Sequence, residues 1–231
     1  MGARIHIAVL GDHNTDFVTH RELDAALNRL PDWAAATWIP TDVPEARTLD
    51  SVDGVWVAPG SPYRDDDAVF EAIRRAREHG LPLLATCSGF HYALVEFARG
   101  VAGLEAAHAE IDPAAEAPVV APLACSLIGE RRTATCVPGT RLAAICGTEP
   151  FSGFHWCGYG LADGYEQKLT SAGLVISAHA EDAGVEGFEL SGHPFFVGTL
   201  FQPQVGSSDG RPLHPLIGAF LDAARERAAA R

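Results

Sequence analysis

A chain of 231 residues with 47% hydrophobic and 20% charged side chains can bury a full core as one domain, residues 1–231. Its formal net charge of −13 excludes nonspecific binding to nucleic acid or to an anionic membrane surface, because both need clustered positive charge. Five cysteines without tight spacing point to free thiols in a reducing, cytoplasmic setting, and no apolar run approaches the roughly 20 residues that span a bilayer.

The opening MGARIHIAVLG alternates as a first strand over 4–10 and carries no cleavage signal before Asp12. Residues 19–30 place apolar side chains at 23, 26, 27 and 30, a helical period, with Thr19 and Glu22 spaced as a capping box. An edge strand is predicted over 35–39, and GVWVA at 54–58 is a buried strand ending in PGSPY. A helix follows over 66–79, stopped by Gly80, and then LPLLAT at 81–86 is the next buried strand. CSG follows at once and leads into a helix through about residue 98. Strands apolar on both faces, alternating with helices, predict a mostly parallel sheet covered on both sides.

The Pro- and Ala-rich segment 112–123 reads as a surface loop, and 131–146 as hairpin strands. HWCGYG at 155–160 is a short aromatic-glycine stretch. Strands are predicted at 173–178, 185–190 and 195–201, and HPLIGAFLDAARERAA closes the chain as a helix.

Cys87 sits between a buried strand and a helix, with Gly89 two residues on. A sharp turn there exposes the side chain, and the helix N-terminus favours a thiolate. A structural cysteine beside a strand end fits the local pattern equally well.

Several stretches resemble, in the same order, those of the class I glutamine amidotransferases, and among them the glutaminase domain of CTP synthase. These are VAPGSPYRD, ATCSGFH, YALVEFARGVAGLEAAHAEIDP, SAGLVISA, and HPFFVGTLFQPQ with RPLHPLIGAFLDAA. The resemblance runs from the first strand to the last helix. It implies a flavodoxin-like three-layer α/β sandwich with a central mostly parallel sheet, and no cofactor. It also implies that Cys87 is the nucleophile of the family's G-x-C-x-G-x-Q. The synthetase domain that precedes the glutaminase domain in CTP synthases is absent from the sequence.

The resemblance makes the departures specific. The family ends this strand in F-H-P-E, supplying the His and Glu of a Cys–His–Glu triad, and TLFQPQ places Gln202 and Gln204 at those positions. An amide has no useful basicity near neutral pH, so Gln202 cannot be the base. With the imidazole gone, a lone carboxylate would only cost desolvation, and the two amides can bond each other. The family's PGGFG loop, which helps form the oxyanion hole, is PGSPY. Pro62 has no N–H, leaving Gly60 or Ser61, with Ser88 N–H as the other donor. The Gln of G-x-Q is His91, Glu110 matches the residue that holds the substrate ammonium, and the carboxylate-gripping Arg falls near Gly158.

Two readings follow. In one, Cys87 serves an enzyme with altered chemistry on a small polar, nitrogen-containing metabolite. His91, four residues along the same helical face, is then the replacement base, and His155 binds substrate or stands second as base. Cys87, His155 and Cys157 lack metal-site spacing, so no metal is expected. In the other, the pocket is non-catalytic, and the chain binds, regulates, self-associates or docks on a separate synthetase-like partner.

Overall fold

The computed structural model describes residues 4–231. The first half contains β1 (Ile5–Leu10), α1 (Val18–Leu27), β2 (Ala34–Ile39), α2 (Glu45–Thr48), β3 (Gly54–Val57) and α3 (Asp66–Glu78). Next come β4 (Leu83–Thr86), α4 (Ser88–Gly100), β5 (Val120–Pro122), β6 (Glu130–Cys136), α5 (Arg141–Cys146) and β7 (Phe151–His155). The chain continues through β8 (Tyr159–Leu161), α6 (Tyr165–Ser171), β9 (Leu174–Ala180), β10 (Gly184–Leu190), β11 (Phe196–Thr199) and α7 (Pro215–Ala229).

Nine strands form one sheet in the order β2-β1-β3-β4-β11-β10-β9-β6-β7, and β5 pairs with β8 apart from it. From β2 to β11 neighbouring strands run parallel, whereas from β11 to β7 each pairs antiparallel with the next. The runs GVWV, LLAT and FVGT are buried at every residue, which suits central strands covered on both faces. Alternate residues of β1 separate the layers. Ala8 and Leu10 join the core under α3 and α4, while Ile5, Ile7 and Val9 join the core under α1, α5 and α7. The result is the three-layer α/β sandwich.

Three local readings are corrected by the structure. Helix α1 begins after Phe17 without a side-chain cap, so Thr19 and Glu22 form no capping box. Glu22 instead turns its carboxylate to the backbone N–H groups of Gly206 and Ser208. Residues 141–146 are a helix rather than a strand. Thr140 accepts from Ala143 N–H, and Glu189 accepts from the N–H groups of Arg141 and Leu142, satisfying its first turn. A helix of six residues is too short to show its period. The segment 112–123 is not all surface loop, since Val119 and Val120 are buried and β5 takes its end.

β3, β4 and β11 are neighbours whose registers align Val57 with Ala85 and Thr86 with Thr199. Their C-terminal ends therefore deliver PGSPY, Cys87 and Gln202 to one edge of the sheet, where parallel α/β sheets form clefts. Among the described residues, no helix is long and apolar enough to cross a membrane.

Candidate active site

Cys87 joins β4 to α4 with φ 54° and ψ −113°. That backbone conformation costs a non-glycine residue about 1–3 kcal/mol, so the surrounding structure must hold it. It does so from both sides. Cys87 N–H donates to the Thr199 carbonyl at 2.9 Å, and the Cys87 carbonyl accepts from His91 N–H at 3.2 Å. Gly89 permits the close approach, because a β-carbon there would lie 2.5 Å from the Val57 carbonyl oxygen. Every residue of α4 from Ser88 to Ala98 is buried, so the helix is fixed by packing along its length.

The thiol forms part of the wall of a cavity of about 310 Å³, within the range of small-molecule sites at about 300–1,000 Å³. Gly60, Ser61, Cys87, Ser88, His91, Glu110 and Gln202 all line it, so the fold gathers most of the residues singled out from the sequence. His155 and Gln204 do not line it.

The loop after β3 is held in two directions. His20 Nδ1 accepts from Asn14 N–H at 3.0 Å, so Nε2 carries the proton and donates to the Pro59 carbonyl at 2.7 Å. Burial lowers the His20 pKa, keeping the ring neutral in this role. On the other side of the same peptide, Gly60 N–H donates to the Ser88 hydroxyl at 2.6 Å. The Gly60 donor is therefore already engaged. Gly60 holds φ 120°, a conformation that favours glycine. The Ser61 hydroxyl donates to the Glu110 carboxylate, which ties a third loop to the cavity wall.

His91 lies four residues beyond Cys87 and faces the cavity, but its Nε2–H donates to the Tyr159 carbonyl at 3.1 Å. Burial, reinforced by His108, holds its pKa well below 6.5. The His108 ring sits 5.1 Å away and is itself pushed down to about 4 by burial. His155 is fully buried and donates Nε2–H to both oxygens of the fully buried Glu186, at 2.8 and 2.9 Å. Neither imidazole is hydrogen-bonded to the thiol. The Cys87 sulfur instead lies 3.7 Å from the Trp156 carbonyl oxygen, and the next residue, Cys157, shares the cavity.

Gln204 donates its amide to the Gln202 side-chain oxygen at 2.8 Å. This leaves Gln202 Nε2 buried and without a partner, on a residue that lines the cavity. Were both amides turned over, the Gln202 oxygen would be the free group instead. Either way one polar atom of Gln202 is left buried and unpaired beside the cavity.

Features not singled out from the sequence complete the site. His20, distant in sequence, positions the loop after β3. Phe17, Ile128 and Trp156 line the mouth with apolar side chains that are 46%, 56% and 46% exposed. Their neighbourhood arises from three separate loops and left no local pattern to read. Among the described residues, no group of three or more His, Cys, Asp or Glu side chains is arranged to hold a metal ion.

No protein-family model matches the chain. It is 37% identical over 213 residues to the CTP synthase of Pyrobaculum aerophilum, covering 87% of this chain and 40% of that protein. It is 36% identical over 215 residues to the CTP synthase of Saccharopolyspora erythraea, covering 84% and 38%. The chain thus spans about two fifths of the length of the curated relatives it matches. Its fold is similar to the glutaminase domain of Trypanosoma brucei CTP synthase with bound acivicin, with a TM-score of 0.79 at 22% identity over 96% of this chain and 94% of that one. A glutamine amidotransferase of Thermotoga maritima matches with a TM-score of 0.60 at 14% identity, covering 99% of both chains.

Proposed function

The chain belongs to the class I glutamine amidotransferase family, and we propose that it keeps the thiol nucleophile of that family while acting on a substrate other than free glutamine. The observation that carries this reading is Cys87 held at φ 54° at the N-terminus of a helix buried from Ser88 to Ala98, on the wall of a ligand-sized cavity. A strained backbone maintained beside a cavity is characteristic of working sites.

In this reading Gln202 and Gln204 stand where the family's His and Glu would be, and their pairing removes a general base from that position. Cys87 attacks an electrophilic carbonyl carbon of a small nitrogen-containing metabolite. Ser88 N–H, the first of α4, is the backbone group available to the developing oxyanion. Gly60 N–H contributes indirectly, by orienting Ser88. Ser61 N–H is the remaining loop donor, and Glu110 receives a cationic group of the ligand. His91, neutral and bonded to Tyr159, shapes the pocket rather than taking the thiol proton. His155 supports the wall from behind through Glu186. The five free cysteines fit a reducing, cytoplasmic setting.

The test is the rate at which a small thiol-directed electrophile labels Cys87 across pH, followed by mass spectrometry on the folded and the denatured protein. Labelling much faster in the folded protein at neutral pH is expected, and it should vanish in Cys87→Ala. A folded-state rate no faster than that of the denatured chain overturns the reading.

The apolar mouth favours a second, non-catalytic reading, in which Phe17, Ile128 and Trp156 receive a synthetase-like partner or a second copy of the chain. Slow labelling of Cys87, together with a concentration-dependent change in mass in solution, would favour it.

A further inference from the structure

We propose that Cys87 and Cys157 form a redox pair, in which a hydroperoxide oxidises Cys87 and Cys157 closes the resulting sulfenic acid into a disulfide that reversibly locks the site. The proposal shares with the preceding reading only the reactivity of Cys87, and it holds whatever the substrate is.

The two sulfurs come from different parts of the chain. Cys87 lies between β4 and α4, while Cys157 lies between β7 and β8. Both are buried, at 4% and 8% exposure, and both line the same cavity. The Cys87 thiol reaches the carbonyl of Trp156, the residue bonded to Cys157. Cys157 is fixed by its own backbone, since its carbonyl accepts from Leu127 N–H at 3.0 Å. The Cys157 pKa is driven well up, first by the adjoining Cys87 side chain and then by burial. Cys157 therefore keeps its proton beside the sulfur that would attack first. An exposed mouth gives a small peroxide access, which a structural cysteine pair within a core would lack.

The chemistry balances in two steps. The Cys87 thiolate attacks one oxygen of the hydroperoxide. An S–O bond forms, the O–O bond breaks, and the other oxygen leaves as an alkoxide or hydroxide that takes up a proton. Sulfur loses two electrons and the peroxide gains them. The Cys157 sulfur then attacks Cys87 Sγ. The S–S bond forms, the S–O bond breaks, and water departs with the Cys157 proton. A dithiol reductant, itself becoming a disulfide, returns both thiols.

A second neighbouring pair serves as an internal comparison. The side chains of Cys136 and Cys146 also adjoin and perturb each other, and burial pushes Cys146 up to about 12. Neither lines the cavity. The experiment uses the full chain with Cys125, Cys136 and Cys146 changed to Ser, leaving only Cys87 and Cys157. Brief exposure to a slight excess of hydrogen peroxide should remove both free thiols and give a Cys87–Cys157 linked peptide in the mass spectrum. A dithiol reductant should then restore Cys87 alkylation. In the same background, Cys157→Ser should instead accumulate a Cys87 sulfenic acid that a cyclic 1,3-diketone traps. Circular dichroism of each variant establishes that it is folded, and the unmutated chain, mapped the same way, provides the check if a variant is not. Two thiols still free, or Cys87 passing to sulfinic acid with no linked peptide, overturns the proposal. Fast Cys87 alkylation with no disulfide would defeat this inference alone. Disulfide formation without turnover of any carbonyl substrate would defeat the enzymatic reading alone.

Discussion

Gly60 donates its amide N–H to the Ser88 hydroxyl over 2.6 Å, so the loop after β3 is tied to the first residue of the helix that follows Cys87. Ser88→Ala removes the acceptor while leaving the helix backbone able to form. Loss of one partly buried hydrogen bond should lower the unfolding free energy by about 1 kcal/mol. The expected signature is a lower urea midpoint at an unchanged slope. An unchanged midpoint would show that the tie contributes nothing to the fold.

Glutamine is expected to be a poor substrate. With amides at 202 and 204, and with His91 and His155 hydrogen-bonded to Tyr159 and Glu186, no imidazole is bonded to Cys87 to manage its proton. Ammonia release from glutamine should match that of Cys87→Ala. Ordinary turnover that disappears in Cys87→Ala would require another proton acceptor, and the neutral, cavity-lining His91 would be the first residue to change.

Removing one half of a wholly buried polar pair should cost more than removing both. His155→Leu leaves the Glu186 carboxyl group at 0% exposure without its partner, and a loss of about 3–5 kcal/mol is expected. The double variant His155→Leu/Glu186→Leu exchanges the pair for apolar groups and should recover much of that loss. Urea denaturation of the two variants compares them directly. A double variant no more stable than the single one would mean that packing, not polarity, dominates at this position.

Acid should weaken the fold through its buried histidines. His108 and His214 are pushed from 6.5 down to about 4 by burial. Between pH 4 and pH 6.5 the unfolded chain therefore binds protons at these rings that the folded chain does not. Stability consequently rises with pH across this window and is lost as pH falls through it, by up to about 3 kcal/mol for each ring. The His108→Asn variant should show a shallower dependence of the urea midpoint on pH over that range. An equally steep dependence would place the effect elsewhere.

The parallel half of the sheet was legible because GVWV and LLAT are continuous apolar runs bounded by turns, and because helices such as Asp66–Glu78 keep a clean period. Cys87 was legible for the same reason, as the residue between such a strand and such a helix. The pairing of Gln202 with Gln204 also followed from chemistry, since two adjacent buried amides can satisfy each other. Other features depended on tertiary neighbours. Glu22 looked like a capping residue until the loop at 206–208 supplied better donors. Gly60 looked like a free donor until Ser88 accepted its N–H. The orientation of His91 depends on a carbonyl 68 residues away, and no spacing along the helix encodes that contact.

The Pro59–Gly60 peptide is gripped on its carbonyl side by His20 from α1 and on its amide side by Ser88 from α4, and these helices lie on opposite faces of the sheet. A single peptide unit thus works as a rivet through all three layers. The cavity wall it forms cannot swing independently of the core, so a ligand meets a surface already in its final shape. Little ordering of that wall remains to oppose binding, and discrimination rests on fit against a rigid template rather than on closure around the guest.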